Sequence, residues 1–153
     1  IVFSGALIIL GISLFTNQYF HGGVWGTLHN KSVKPKIEIT KANIEQDILS
    51  FTVYRVEGAD VYGSFLIGIT LTDSNGNIML EKNNKDLAAF PEKNISNTYV
   101  ASVKPGKHSL LIPLGAKAKL TIRDSILSGL PAGSYQLVLT DISGLTWTEN
   151  IML

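Results

Sequence analysis

The sequence predicts a mainly β fold, two antiparallel sheets packed as a sandwich and preceded by one hydrophobic N-terminal α-helix. Three observations predict it. Apolar and polar residues alternate with a period of two in run after run from Lys36 onward, the pattern of strands buried on one face. Turn-forming residues break these runs at short intervals, most plainly at Asp73-Ser74-Asn75-Gly76-Asn77. The first thirty residues, Ile1 to Asn30, contain no Asp, Glu, Lys or Arg, so the front of the chain is built for a different solvent from the rest.

That front segment is the first element. Ile1–Thr16 is almost wholly apolar and as a helix would rise roughly 24 Å, short of the ~20 residues that cross a bilayer. Continuing through Tyr19 and Phe20 closes the gap, giving a transmembrane or assembly helix over residues 1–21. Tyr19, Phe20 and Trp25 then fall where membrane proteins place interfacial aromatics. Gly5, Gly11 and Ser13, with Ser4, are small residues that allow close helix–helix approach. The chain opens on Ile1 rather than Met, and further residues upstream are expected. A retained single-pass anchor is the favoured reading; a cleaved signal peptide and a helix packed in a filament core are the alternatives. An apolar helix running straight into a β domain resembles type IV pilins in architecture. Gly22-Gly23 and Gly26 end this helix early for a pilin, and no acidic residue stands near position five.

Residues 22–35 read as a glycine-rich connector. Just past it Lys31, Lys34 and Lys36 would, by the positive-inside rule alone, hold the domain in the cytoplasm. Residues upstream could reverse that, and two acceptor triplets, Asn30-Lys31-Ser32 and Asn94-Ile95-Ser96, favour the outside. The expected location is the cell membrane, with the domain extracytoplasmic and Asn30 and Asn94 as candidate glycosylation sites.

The body is read as residues 36–153. Ile37 and Ile39 open it. Leu49, Phe51 and Val53 alternate with Ser50, Thr52 and Tyr54, and Phe65, Ile67, Ile69 and Leu71 with Leu66, Gly68, Thr70 and Thr72. Asn75-Gly76 supplies the residues a tight hairpin turn wants. Shorter runs follow near Ile78–Glu81, Tyr99–Val103 and Ser109–Leu114, with one helical turn over Asn84–Phe90 ended by Pro91. Ala118, Leu120 and Ile122, then Tyr135, Leu137 and Leu139, then Leu145, Trp147 and Ile151 complete a set of seven to nine strands.

The stretch Leu130-Pro131-Ala132-Gly133-Ser134-Tyr135-Gln136-Leu137 resembles the loop-to-strand corner of immunoglobulin-like and fibronectin-like domains. In those folds a tyrosine at this place ties its hydroxyl to nearby backbone, so the resemblance implies a structural tyrosine corner at Tyr135. Thr140-Asp141-Ile142-Ser143-Gly144 resembles the last hairpin of such domains. With no Cys pair, antibody-type membership is excluded. The resemblance implies fold alone, since this architecture hosts many unrelated functions.

Composition narrows the function. The 153 residues carry 13 Lys and Arg against 12 Asp and Glu, for a net charge of +1. These charges are well mixed after Lys31, whereas a nucleic-acid binder needs a clustered basic face. The absence of cysteine removes disulfides, thiolate metal sites and a cysteine nucleophile. His21 and His29 flank the connector as weak candidates for a copper or zinc site, but their spacing fixes no geometry, and no metal or other cofactor is expected. Asp73, Asn75 and Asn77 alternate like the first ligands of a calcium loop, yet Ile78 stands where its glycine belongs and Asn84 where its glutamate does. Ser64 and Ser134 are in no nucleophile elbow, and the scattered carboxylates offer no acid–base pair. Trp147 is expected to face the core. Tyr54, Tyr62 and Tyr99 could form a partner surface.

The expected role is therefore non-catalytic: a structural or accessory subunit of a multi-subunit cell-envelope complex. Its partners would be the lipid bilayer and other membrane subunits or copies of itself. The alternatives are a pilin-like filament subunit at the cell surface and an extracellular ligand- or metal-binding module.

Overall fold

The structure, a computed structural model, describes residues 34–58 and 64–153. The helix expected over residues 1–21 and all but the end of the connector lie outside the described residues. So do Gly5, Gly11, Ser13, Tyr19, Phe20, His21, Trp25, His29, Asn30 and Tyr62. Among the described residues no helix is long and apolar enough to cross a membrane.

Pro35–Leu153 is one compact unit, mainly β with antiparallel sheets. Its strands are β1 (Lys36–Glu45), β2 (Ile48–Glu57), β3 (Ser64–Asp73), β4 (Ile78–Lys82), β5 (Ile95–Asn97), β6 (Lys104–Pro105), β7 (Leu110–Ile112), β8 (Lys117–Arg123), β9 (Ser134–Asp141) and β10 (Thr146–Met152). A four-stranded sheet has the order β1-β2-β8-β5. A six-stranded sheet has the order β10-β9-β3-β7-β6, with β4 also paired to β3.

Alternation becomes burial because a strand's side chains point to opposite faces in turn. Leu49, Phe51 and Val53 of β2 and Ala118, Leu120 and Ile122 of β8 face inward, and so do Ile69 and Leu71 of β3 and Tyr135, Leu137 and Leu139 of β9. All are buried in one shared core, where each large aliphatic side chain contributes about 1.5–3 kcal/mol by leaving water. Trp147 is half-buried and packs against that core.

Four register shifts interrupt the ladders, and two of them change which apolar side chains reach the core. Along β3, Thr140 opposes Gly68 but Asp141 opposes Leu66, so Ile67 is an extra residue. One inserted residue exchanges the faces of everything beyond it. Leu66 is therefore buried while Phe65 and Ile67 are half-exposed, which corrects the expected in-phase run Phe65, Ile67, Ile69, Leu71. In β1 the register shifts between Thr40 and Asn43, around Lys41 at φ 53°. That shift lets Ile39 and Ile44, an odd number of residues apart, both enter the core.

The helical turn forms as α1 (Asn84–Ala88). The Asn83 side chain accepts from the N–H groups of Lys85 and Asp86, and Asp86 accepts from the Asn83 N–H in return, a reciprocal capping box. The run expected over Tyr99–Val103 is not a strand. The strand falls one step earlier, at Ile95–Asn97, and the stretch after it loops out.

The register gives the domain two ends. The chain enters at Pro35, β1 runs away from that end and β2 returns to it, with Lys36 opposite Glu57. The turns at Gly58, Thr98–Ser102, Pro113–Gly115 and Ile142–Leu145 lie at this connector end. The turns at Gln46–Asp47, Asp73–Asn77 and Asp124–Gly133 lie at the far end, where Asp47 accepts the Asp124 N–H at 2.9 Å.

Candidate interaction surface

The outer face of the four-stranded sheet is polar and hydroxyl-rich. Pairing sets Thr40 beside Thr52, Thr52 beside Lys119 and Lys119 beside Ser96. With Thr98, Lys117 and Lys41 these residues line a shallow groove of about 510 Å³.

At the connector end of this groove two tyrosines far apart in sequence meet. Tyr54 and Tyr99 pack edge to face with ring centroids 6.0 Å apart and planes 75° apart. The Lys117 ammonium lies 5.7 Å from the Tyr54 centroid and 5.9 Å from that of Tyr99, within reach of both π faces. Tyr99 can reach Tyr54 because the loop after β5 is pinned: Thr98 N–H donates to Lys117 O at 2.9 Å. Tyr99 and its neighbour Val100 are exposed.

Beneath this end lies Arg55, fully buried on the inward face of β2. Its guanidinium donates to the Ile112 carbonyl at 3.0 Å and its Nε reaches Glu57 O at 3.4 Å. The Arg55 backbone also bonds Ala116 O and the Gly115 N–H. The side chain thus joins the two sheets where the chain enters.

At the far end Asp73 organises the β3–β4 turn. Its carboxylate accepts from the N–H groups of Asn75 and Asn77 and from the Asn77 side-chain amide. The Asn77 backbone bond leads in holding its pKa below the ordinary carboxylate value; slight desolvation opposes it, and further bonds from Asn77, Asn75 and Gly76 assist. These are the contacts of a hairpin turn. At the connector end the buried Asp141 accepts from the N–H groups of Ser143 and Leu145 and from the Ser143 hydroxyl, which closes the β9–β10 turn.

The Tyr135 hydroxyl donates to the Pro131 carbonyl at 2.5 Å, with the ring buried against the core. Asn94 is half-buried at the end of a 3₁₀ turn, its N–H bonded to Pro91 O at 2.9 Å. Ser134 is exposed at the start of β9, and His108 is exposed in the turn before β7. Among the described residues no three His, Asp or Glu side chains are grouped to hold a metal ion. The sequence named Tyr54 and Tyr99 without a reason for them to meet. It gave no notice of Lys117 between them, or of Arg55, whose only signal was its place in phase with Leu49, Phe51 and Val53.

Fold and surface together define a mainly β domain, two antiparallel sheets over one buried core with a polar outer face on the four-stranded sheet. Residues 20–150 match the protein family described as TQO small subunit DoxA, and the chain belongs to that family. It is therefore a subunit of a larger complex. No curated protein matches it. Among solved structures the chain is similar to one from work on aggregative adherence fimbriae of enteroaggregative Escherichia coli, at 14% identity over 78% of this chain and 99% of that one, with a TM-score of 0.37. It is also similar to a family 123 glycoside hydrolase from Clostridium perfringens, at 10% identity over 78% of this chain and 26% of that one, with a TM-score of 0.31. Neither likeness carries an argument about function.

Proposed function

We propose that this protein is a membrane-anchored, non-catalytic subunit of the TQO complex, with its β domain outside the membrane bracing a larger partner subunit. The observation that carries the reading is the family match over residues 20–150 to a small subunit. The uncharged stretch Ile1–Asn30 supports an anchor over residues 1–21, followed by a connector over 22–35. In this reading Gly5, Gly11 and Ser13 face partner helices, while Tyr19, Phe20 and Trp25 sit at the interface. The body is an immunoglobulin-like sandwich. The order β1-β2-β8-β5 opposite β10-β9-β3, with β4 paired to β3 beside the additional strands β7 and β6, parallels strands A-B-E-D over G-F-C-C′ of that architecture, and Tyr135 is its tyrosine corner. Asn30 and Asn94 are glycan acceptors, and the role is to hold an assembly together rather than to turn over a substrate.

Mild-detergent extraction of the native membrane tests this. The chain should leave the membrane in a particle much larger than itself, together with a larger subunit. A fully active enzyme that lacks this chain, or a free monomer with full biological activity, would overturn the reading. Protease added to intact cells should reach the β domain; protection there would reverse its orientation.

A further inference from the structure

The connector end differs chemically from the far end. Among the described residues the exposed charges there are Lys34, Lys36, Lys104 and Lys117 against Glu38 and Glu57, while Arg55 and Asp141 are buried. The far end carries Glu45, Asp47, Asp73 and Asp124 against Arg123 and Lys82, with Arg123 committed to Asp47 at 3.1 Å and Lys82 3.9 Å from Asp124. The domain therefore has a basic end, where the chain enters, and an acidic end opposite.

Two apolar side chains project from the basic end. Val100, at the tip of the Thr98–Ser102 loop, has a relative exposure of 101%, and Ile142, in the β9–β10 turn, 66%. Neither sits on a slack loop. Asn97 and Ser102 hold the first through bonds to Val103 and to Val100 O. The Ile142 N–H bonds Phe65 O at 2.9 Å, and Asp141 closes its turn. Exposed apolar residues occur at the far end too, Ile78, Ile126 and Met152 among them, but the carboxylates around them would repel an anionic surface.

We propose that the connector end of the sandwich rests on the lipid headgroup layer. Val100 and Ile142 enter the interface as separate apolar tips, and Lys36, Lys104 and Lys117 meet lipid phosphates. Isolated apolar tips at an end that carries more exposed lysines than carboxylates suit a headgroup layer, which combines shallow apolar depth with negative charge. A protein partner of comparable affinity favours a contiguous apolar core with a polar rim. Tethering alone does not produce this contact: residues 22–34 could extend to roughly 45 Å and leave the domain standing clear. The inference rests on the anchored reading above, and its test separates the two.

The chain has no cysteine, so single-cysteine variants carry one label each. Full-length Val100→Cys, Ile142→Cys, Asn75→Cys and Leu7→Cys are labelled with an environment-sensitive dye in vesicles of phosphatidylethanolamine and phosphatidylglycerol. Labels at 100 and 142 should lose emission severalfold to a quencher carried on shallow lipid positions, while the label at 75 answers only to an aqueous quencher. Adding Lys36→Glu and Lys104→Glu should return the label at 100 to water. If position 7 is quenched by lipid but position 100 behaves like position 75, the domain stands off and this proposal fails while the anchor remains. If position 7 also stays in water, the anchored reading fails first. Protection of position 100 that appears only when the larger subunit is added would assign this end to protein and overturn the proposal.

Discussion

Asn97 holds Val103 through both halves of its side-chain amide: Oδ1 accepts the Val103 N–H at 2.7 Å, and Nδ2 donates to the Val103 carbonyl at 3.1 Å. One side chain thus does what a neighbouring strand would do, satisfying both backbone groups of a residue buried in the core. It fixes the loop bearing Tyr99 and Val100. Asn97→Ala should lower stability by about 1–2 kcal/mol, given about 1 kcal/mol per bond. It should also speed hydrogen exchange at the Val103 amide far more than at Leu120. Unchanged exchange at Val103 would mean that the loop is held by other contacts.

Tyr135→Phe removes only the hydroxyl that reaches back to Pro131 O, leaving the ring in the core. A loss of about 1–2 kcal/mol in urea unfolding is expected, with the denaturant slope unchanged because the buried surface is the same. A neutral substitution would remove the corner from the account of stability.

Gly58 sits at φ +112°, and a Cβ there would stand 2.6 Å from Pro35 Cα and 2.9 Å from Pro35 N. Gly58→Ala combines a disfavoured backbone angle with a clash against main chain that cannot swing aside, so it should cost more than about 1 kcal/mol. Gly76→Ala supplies the control: its φ is +85° but nothing lies within 4 Å of the added carbon. Thermal unfolding of the two variants should rank Gly58→Ala well below Gly76→Ala.

Asp73 gives the pH dependence of the far-end turn. Its carboxyl is held below the ordinary value in the folded state, mainly by the Asn77 N–H. The contribution is therefore complete above the unfolded-state value and is lost as pH falls through the depressed one. An NMR titration of the Asp73 carboxyl carbon should show a midpoint below that of an exposed peptide aspartate. Exchange at the Asn77 amide should rise over the same acid range, and Asp73→Ala should abolish that rise.

Much of this architecture could be read from alternation, because burial on one face writes a period of two directly into β2, β8 and β9. Where a bulge inserts a residue the same logic misleads. Lys41 and Ile67 carry no local mark of their bulges; only the partner strand's register shows that one residue has been passed over. The run Tyr99–Val103 has apolar residues at strand spacing, but the backbone of Val103 is already satisfied by Asn97, so no ladder forms. The Tyr54–Tyr99–Lys117 cluster depends on β2, β8 and β5 lying side by side, a long-range pairing that composition cannot announce. Arg55 was legible in phase and illegible in chemistry: its position pointed inward, while nothing in the sequence named the Ile112 carbonyl that receives its guanidinium.

The way β1 is placed also has a mechanical meaning. It begins at Lys36, lies at the margin of its sheet and points along the axis that separates the two ends of the domain. A pull between a tether at its start and a grip on the opposite turns would load its rungs to β2 side by side, in shear, instead of unzipping them singly. Such a strand resists stretching along its length better than peeling from its start.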